Sequence, residues 1–309
     1  MPATACGAAM RCEGRSSLGR RSREPGEAAL RTSELVTMKT RITEMFAPDG
    51  WVYRARIGLL VPNGDVGPES EFSAMVPAGV GINASRFHFP STDHAKIAGQ
   101  IGIPPVEYVA APGPLDEAVK LVASAPVNII ALAFSSTSYV GDDAVLVERL
   151  GQLADGKPVV TTGQAICAAL SHLGANRVMI VEPPWFPVDL TSRARAWLEA
   201  NGFTVLKAEA AGVPTGQVNV HPGNVYQWVR GNVPADVEAV VMTGNGFRTS
   251  GVVKALETDL RIPVMSANSV LLWHVLRTLG LPTSEVTEYG RLFGGASGTE
   301  AARTTAKAD

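Results

Sequence analysis

The sequence predicts an α/β protein of two pseudo-symmetric lobes, each a mostly parallel sheet flanked by helices, with a cleft between them. Three observations carry this. Short β-branched, apolar runs are each followed by Gly, Ser, Thr or Asn and then by a helical pattern, the rhythm of a parallel α/β sheet. The runs are nearly continuous in hydrophobicity rather than alternating, as strands covered on both faces require. The two halves also resemble one another.

Taken in order, strands are expected at residues 57–61, 127–134, 158–161, 177–181, 239–242 and 262–265. A helix is expected over 191–201, with Leu190 as its hydrophobic lead-in and Asn201-Gly202 as its stop. The internal repeat pairs Pro158-Val159-Val160-Thr161-Thr162-Gly163-Gln164, followed by a helix to Leu173-Gly174, with Pro263-Val264-Met265-Ser266-Ala267-Asn268-Ser269, followed by a helix to Leu279-Gly280. The preceding strands end in Ser135-Ser136-Thr137-Ser138 and in Thr243-Gly244-Asn245-Gly246. Each unit thus offers a small polar loop at the carboxyl end of a buried strand, where open parallel sheets bind ligands.

A chain of 309 residues suits two cores. The expected division is a poorly ordered leader over 1–50, a first lobe over 51–165 with 266–293 packing back on it, a second lobe over 166–265, and a loose tail over 294–309. No apolar run reaches the ~18 residues of a membrane span. The net charge of −2, without a basic stripe beyond the leader, does not fit a nucleic-acid binder. The expected partner is a small molecule. Of three cysteines, Cys6 and Cys12 fall in the leader and Cys167 stands alone in a helical segment, which fits a reducing cytoplasm and builds no disulfide framework. His88, His94, His172, His221 and His274 make no HxH or HExxH spacing, so no metal site is expected. Neither GxGxxG after the first strand, nor a P-loop, nor GxSxG occurs, so no nucleotide cofactor and no serine-hydrolase elbow is expected.

The hydroxyls of Ser135 to Ser138, with Tyr139 next, either hold an anion at a helix start or cap that helix. Gly244 and Gly246 around Asn245 allow close approach of backbone to a ligand, or a tight turn. Pro62-Asn63-Gly64-Asp65-Val66-Gly67-Pro68 sets a single carboxylate at the first strand end, where Asp65 is either a turn residue or a general acid/base. Trp185 and Phe186, in Pro183-Pro184-Trp185-Phe186-Pro187, either wall the cleft or pack under a loop.

At these loops the sequence resembles the aspartate/glutamate/hydantoin racemase superfamily, in the branch of arylmalonate decarboxylases and maleate cis-trans isomerases. The carriers are Ile57-Gly58-Leu59-Leu60-Val61-Pro62 with Glu69-x-Glu71-Phe72, then Ser136-Thr137-Ser138, Gly244-Asn245-Gly246-Phe247-Arg248-Thr249, Ile262-Pro263-Val264 with Asn268 and Trp273, and Tyr289-Gly290-Arg291-Leu292-Phe293. The resemblance implies two pseudo-symmetric lobes and a cofactor-free site in which cysteines move protons at, or attack, a carbon next to a carboxylate. It places the two cysteine positions at Ser136 and Gly244, both substituted here, and an asparagine of the isomerases at Asp65. Thr137 and Ser138 match residues that hold the substrate's oxyanion, and Trp185 or Phe186 falls near a tyrosine of the pattern.

The expectation is a cofactor-independent lyase or isomerase acting at the carbon next to a carboxylate of a small mono- or dicarboxylic acid, arylmalonate-decarboxylase-like, with Asp65 and Ser136 catalytic and with Thr137, Ser138, Tyr139, Trp185, Phe186, Gly244, Asn245 and Asn268 binding substrate. A maleate-isomerase-like or racemase-family enzyme with a non-cysteine acid/base is the alternative, and a non-catalytic carboxylate-binding protein is another. A homodimer is the assembly expected from the resemblance.

Overall fold

Parallel pairing turns the buried runs into two sheets of identical order. A computed structural model describes residues 51–90 and 101–294; the leader with Cys6 and Cys12, His94, and the tail from 295 lie outside these. The first sheet contains β1 (Ala55–Pro62), β2 (Val80–Phe87), β3 (Ile129–Leu132) and β4 (Val159–Thr161), ordered β2-β1-β3-β4. The second contains β5 (Arg177–Glu182), β6 (Thr204–Ala210), β7 (Ala239–Met242) and β8 (Val264–Ser266), ordered β6-β5-β7-β8. Every pairing is parallel.

The six expected strands are present, shifted at most a few residues at their ends. Two of the four edge strands, β2 and β6, are not among the expected ones, whereas the edge strands β4 and β8 are wholly buried and stand out as apolar runs. The residues of β2 and β6 are mostly half-buried or exposed, with Val205 alone buried in Thr204–Ala210, and so form no apolar run.

The helices are α1 (Gly67–Met75), α2 (Ile103–Ala110), α3 (Pro114–Ala123), α4 (Thr137–Val140), α5 (Asp143–Leu153), α6 (Thr162–Leu173), α7 (Val188–Ala200), α8 (Pro222–Asn232), α9 (Val253–Leu260) and α10 (Ala267–Thr278). Helix α7 begins at Val188, earlier than expected, so Leu190 is a buried residue of its first turn rather than a lead-in. The repeat units start their helices alike. Thr161 Oγ1 accepts from the Gln164 amide and Gln164 Oε1 from the Thr161 amide; Ser266 and Ser269 exchange the same pair of bonds at α10. Two N-terminal donors are thereby satisfied at each helix start.

Alternation along the strands divides the core. Ile57, Leu59 and Val61 of β1 join Val178 and Ile180 of β5, with Ile166 and Leu170 of α6 and Val270 and Leu276 of α10, in one cluster shared by both sheets. The opposite faces, with Leu60, Ile130, Met179 and Val240, pack under α2, α3, α5, α7, α8 and α9. Among the described residues, no helix is long and apolar enough to cross a membrane.

One carboxylate fastens the first lobe's α1 to the second half of the chain. Glu71 accepts from the amides of Thr249 (3.0 Å) and Ser250 (2.9 Å), from Ser250 Oγ (2.6 Å) and from Asn268 Nδ2 (2.7 Å). Burial pushes its pKa up, and these four donors oppose that rise. Removing the acceptor strands several enclosed donors at once. Glu71→Ala is expected to cost about 3 kcal/mol of stability, seen as a lower urea midpoint with an unchanged denaturant slope; an unchanged midpoint would show that the clamp contributes nothing.

Candidate active site

The polar loops converge at the carboxyl ends of the strands, with each half supplying part of one wall. Asp65 follows β1, Phe134, Ser135 and Ser136 follow β3, Trp185 and Phe186 follow β5, and Gly244, Asn245 and Gly246 follow β7; Ile101 and Gln217 complete the lining. The cavity they enclose is about 20 Å³, close to the space one water molecule needs. Asp65 is buried at 4% exposure, turned inward rather than into solvent. Its Oδ1 accepts from Gln217 Nε2 and its carbonyl from Arg86 Nη1 (2.8 Å).

Two reciprocal bonds lock the repeat loops together. The Ser135 amide donates to Asn245 Oδ1 (3.0 Å), and the Gly244 amide donates to Ser135 Oγ (3.1 Å). Asn245 Nδ2 donates to Asn268 Oδ1 (2.9 Å), and Asn268 Nδ2 donates to the Asn245 carbonyl (2.9 Å). Asn268 therefore stands behind the loop and braces it instead of lining the cavity, while Asn245 both braces and lines.

The hydroxyls expected to hold an anion divide into two groups. Ser135 and Ser136 face the cavity. Thr137 Oγ1 instead donates to the Phe134 carbonyl (3.0 Å), and Ser138 Oγ donates to Asp143 Oδ1 (3.0 Å). The cause is local: Ser135 to Ser138 turn directly into the short helix α4, so alternate hydroxyls cannot all point one way. Tyr139 lies one layer further back, buried beside Ser135. Trp185 and Phe186 both wall the cavity, Trp185 edge-on to Phe247 with ring centroids 6.0 Å apart.

Gly244 has φ +73°, and a Cβ placed there would lie 2.2 Å from Pro183 Cγ. Position 244 thus serves through its backbone, in a conformation and a space that exclude a side chain. Cys167 lies on α6 beside a separate groove with Asp143 and Trp197; burial, with Asp143 adding to it, pushes its thiol up to about 12. It is not among the cavity's residues. On the far side of Gln217 and Gly246, a wider, solvent-open groove is bordered by Ser70, Arg248 and Tyr289.

Three participants were not singled out by the sequence reading: Gln217, Glu71 as a clamp, and Glu182. Glu182 had a visible signal, because it ends the apolar run Val178-Met179-Ile180-Val181 and so carries a carboxyl group to a buried strand end. It is fully buried, and burial raises its pKa to about 8, opposed by the nearby Thr243 and Tyr139 hydroxyls. Thr243 Oγ1 donates to Glu182 Oε2. Gln217 gave no such signal, since it lies in a short 3₁₀ turn among polar residues.

Stability and pH are linked through Glu182. Below pH 4.5 it is protonated whether the chain is folded or not; from there to about pH 8 only the unfolded chain sheds the proton, so folded stability falls as pH rises through that window. Glu182→Gln removes this contribution, and the drop in melting temperature from pH 5 to pH 8 is expected to shrink; an identical drop would mean that the group is already ionised in the fold. Gly244→Ala is expected to lose about 1–3 kcal/mol, with part of it regained when Pro183 is also replaced by Ala, as chemical denaturation of the two variants will show.

Known proteins share this fold. A family profile described as arylmalonate decarboxylase matches residues 108–293. A maleate isomerase of Nocardia farcinica is 29% identical over 248 residues, covering 77% of this chain and 95% of that protein. The crystal structure of the maleate isomerase from Pseudomonas putida S16 with maleate superposes with a TM-score of 0.69 at 22% identity, over 78% of this chain and 98% of that one. A crystal structure of arylmalonate decarboxylase gives 0.61 at 19% identity, over 78% of this chain and 100% of that one. With a profile that spans more than half its length and a doubled sheet of the same architecture, the chain belongs to the arylmalonate decarboxylase family.

Proposed function

We propose that the protein is a cofactor-independent lyase that releases CO2 from a small dicarboxylic acid, acting at the carbon next to a carboxylate, in the manner that arylmalonate decarboxylase's name describes. The observation that carries this reading is the meeting of the buried Asp65 with Ser135 and Ser136 at one small cavity lined from both halves; at about 20 Å³ it must widen to admit an acid. The bond from the α-carbon to one carboxylate breaks and CO2 leaves. The electron pair stays behind as an enediolate whose oxygens are held by the hydroxyl donors. Asp65 then passes a proton to the α-carbon and recovers one from solvent. Fixed donors aimed at a developing oxyanion commonly supply the largest single share of such catalysis, about 3–4 kcal/mol for one donor.

Position 244 has no room for a sulfur, which removes the cysteine of either reaction; thiolate addition to a double bond has no substitute for it, whereas the proton of a decarboxylation can come from Asp65. Decarboxylation needs only donors and a proton carrier, so it fits the residues better. A maleate-isomerase-like reading rests on the relative of that name at 29% identity, and the same assay separates the two.

Incubation of 2-substituted malonates and of maleate in D2O, followed by NMR, is expected to give CO2 and a monocarboxylate carrying one deuterium on the α-carbon. Conversion of maleate to fumarate without CO2 would favour the isomerase, and simple line broadening would reveal a binder. Asp65→Asn is expected to lower turnover by about 10²- to 10⁴-fold while ligand binding persists; full activity in that variant removes Asp65 from the mechanism. Ser136→Ala is expected to lower kcat/KM by about 100-fold, read in the same assay.

A further inference from the structure

Behind the cavity lies a set of buried groups that the mechanism above does not use. Glu182 Oε2 accepts from Thr243 Oγ1, while Oε1 lacks a hydrogen-bond partner. The Tyr139 hydroxyl, on α4, is also without one at hydrogen-bond geometry, although it lies beside both the Glu182 carboxyl group and the Ser135 hydroxyl. Ser135 in turn lines the cavity and already accepts from the Gly244 amide. Tyr139 is the titratable group that faces Glu182, Thr243 is its other polar neighbour, and no Lys, Arg or His among the described residues faces it.

The direction of hydrogen bonding along this row depends on a single proton. A protonated carboxyl group donates; an ionised one only accepts. With its proton on Oε1, Glu182 donates to the Tyr139 oxygen, Tyr139 donates to Ser135 Oγ, and the Ser135 hydroxyl is left to donate into the cavity. Without that proton, Tyr139 turns its hydrogen to Glu182, Ser135 turns its own to Tyr139, and the cavity meets a lone pair. The first arrangement suits a carboxylate or enediolate oxygen, and the second repels it.

We propose that Glu182 is a positioning residue that, by keeping its proton, aligns the Tyr139 and Ser135 hydroxyls toward the cavity and so makes anionic ligands bind in step with uptake of one proton. This deepens the carboxylate-site reading and rests on it. The device is internal: neither Glu182 nor Tyr139 lines the cavity, and both act through Ser135. A neutral acid at this place also avoids a second negative charge near the bound anion in a region of low dielectric.

Calorimetric binding of phenylacetate and of succinate from pH 6 to 9.5 tests it on the full chain. For the unaltered protein, affinity is expected to fall about tenfold per pH unit above pH 8. Glu182→Gln, which retains a donor at all pH values, is expected to bind with little pH dependence. Tyr139→Phe cuts the row while leaving Glu182 in place; it is expected to bind about tenfold more weakly at pH 7 and also to lose the pH dependence. An alkaline fall that persists in Glu182→Gln would assign the titration to another group and overturn the proposal. Infrared spectra of the unliganded protein supply a second readout, a neutral-acid carbonyl band that disappears near pH 8 and is missing in Glu182→Gln; its absence at pH 6 overturns the proposal as well. If neither acid binds at any pH, the carboxylate-site reading fails with it, whereas binding that ignores pH sinks only the coupling.

Discussion

The pair of bonds between Ser135 and the Gly244–Asn245 turn fixes the distance between the two strand-end loops, and everything at the cavity is positioned from it. Each bond joins a backbone amide of one half to a side chain of the other, so neither loop can shift without stranding a buried donor. Such losses cost on the order of 1–3 kcal/mol each. Asn245 and Asn268 extend the lock backward to Glu71, so a continuous polar path runs from α1, through the α10 start, to the cavity wall. The path holds the Ser135 and Asn245 loops in register with each other, which is what fixed donors need if they are not to reorganise as charge develops.

The protein places its ionisable groups in layers. Asp65 is at the wall, with Gln217 holding one of its oxygens. Glu182 is a layer behind and Glu71 is at the joint between halves, each with its pKa raised by burial. A carboxyl group enclosed without a cation nearby keeps its proton more readily, and a protonated acid can donate where an ionised one cannot. The absence of a side chain at Gly244 gives this layering its chemical interest, since the groups that move protons must then lie elsewhere.

Much of the fold was legible because its strands are buried on both faces and therefore stand out as apolar runs; β2 and β6 were not, since exposed and half-buried residues interrupt their buried ones. The convergence of Asp65, Ser136, Gly244 and Asn245 was legible too, because all follow strand ends in a parallel sheet. What sequence could not convey was side-chain direction within a tight turn. Thr137 and Ser138 adjoin Ser136 in the chain yet bond to Phe134 and Asp143, since a helix starting at once rotates successive residues by about 100°. Gln217 reaches Asp65 from a turn 152 residues later, a contact that no local pattern announces.

The core that both sheets share bears on how a ligand gets in. Ile57, Leu59, Val178, Ile180 and the α6 and α10 side chains form one apolar body, so swinging the halves apart like a jaw would tear that body open and wet it. A smaller change serves instead: Gln217 and Gly246 border both the cavity and the wider groove beside Arg248. A swing of the Gln217 side chain would join the two spaces at the cost of its bonds with Asp65 and the Val66 amide, leaving the shared apolar body intact.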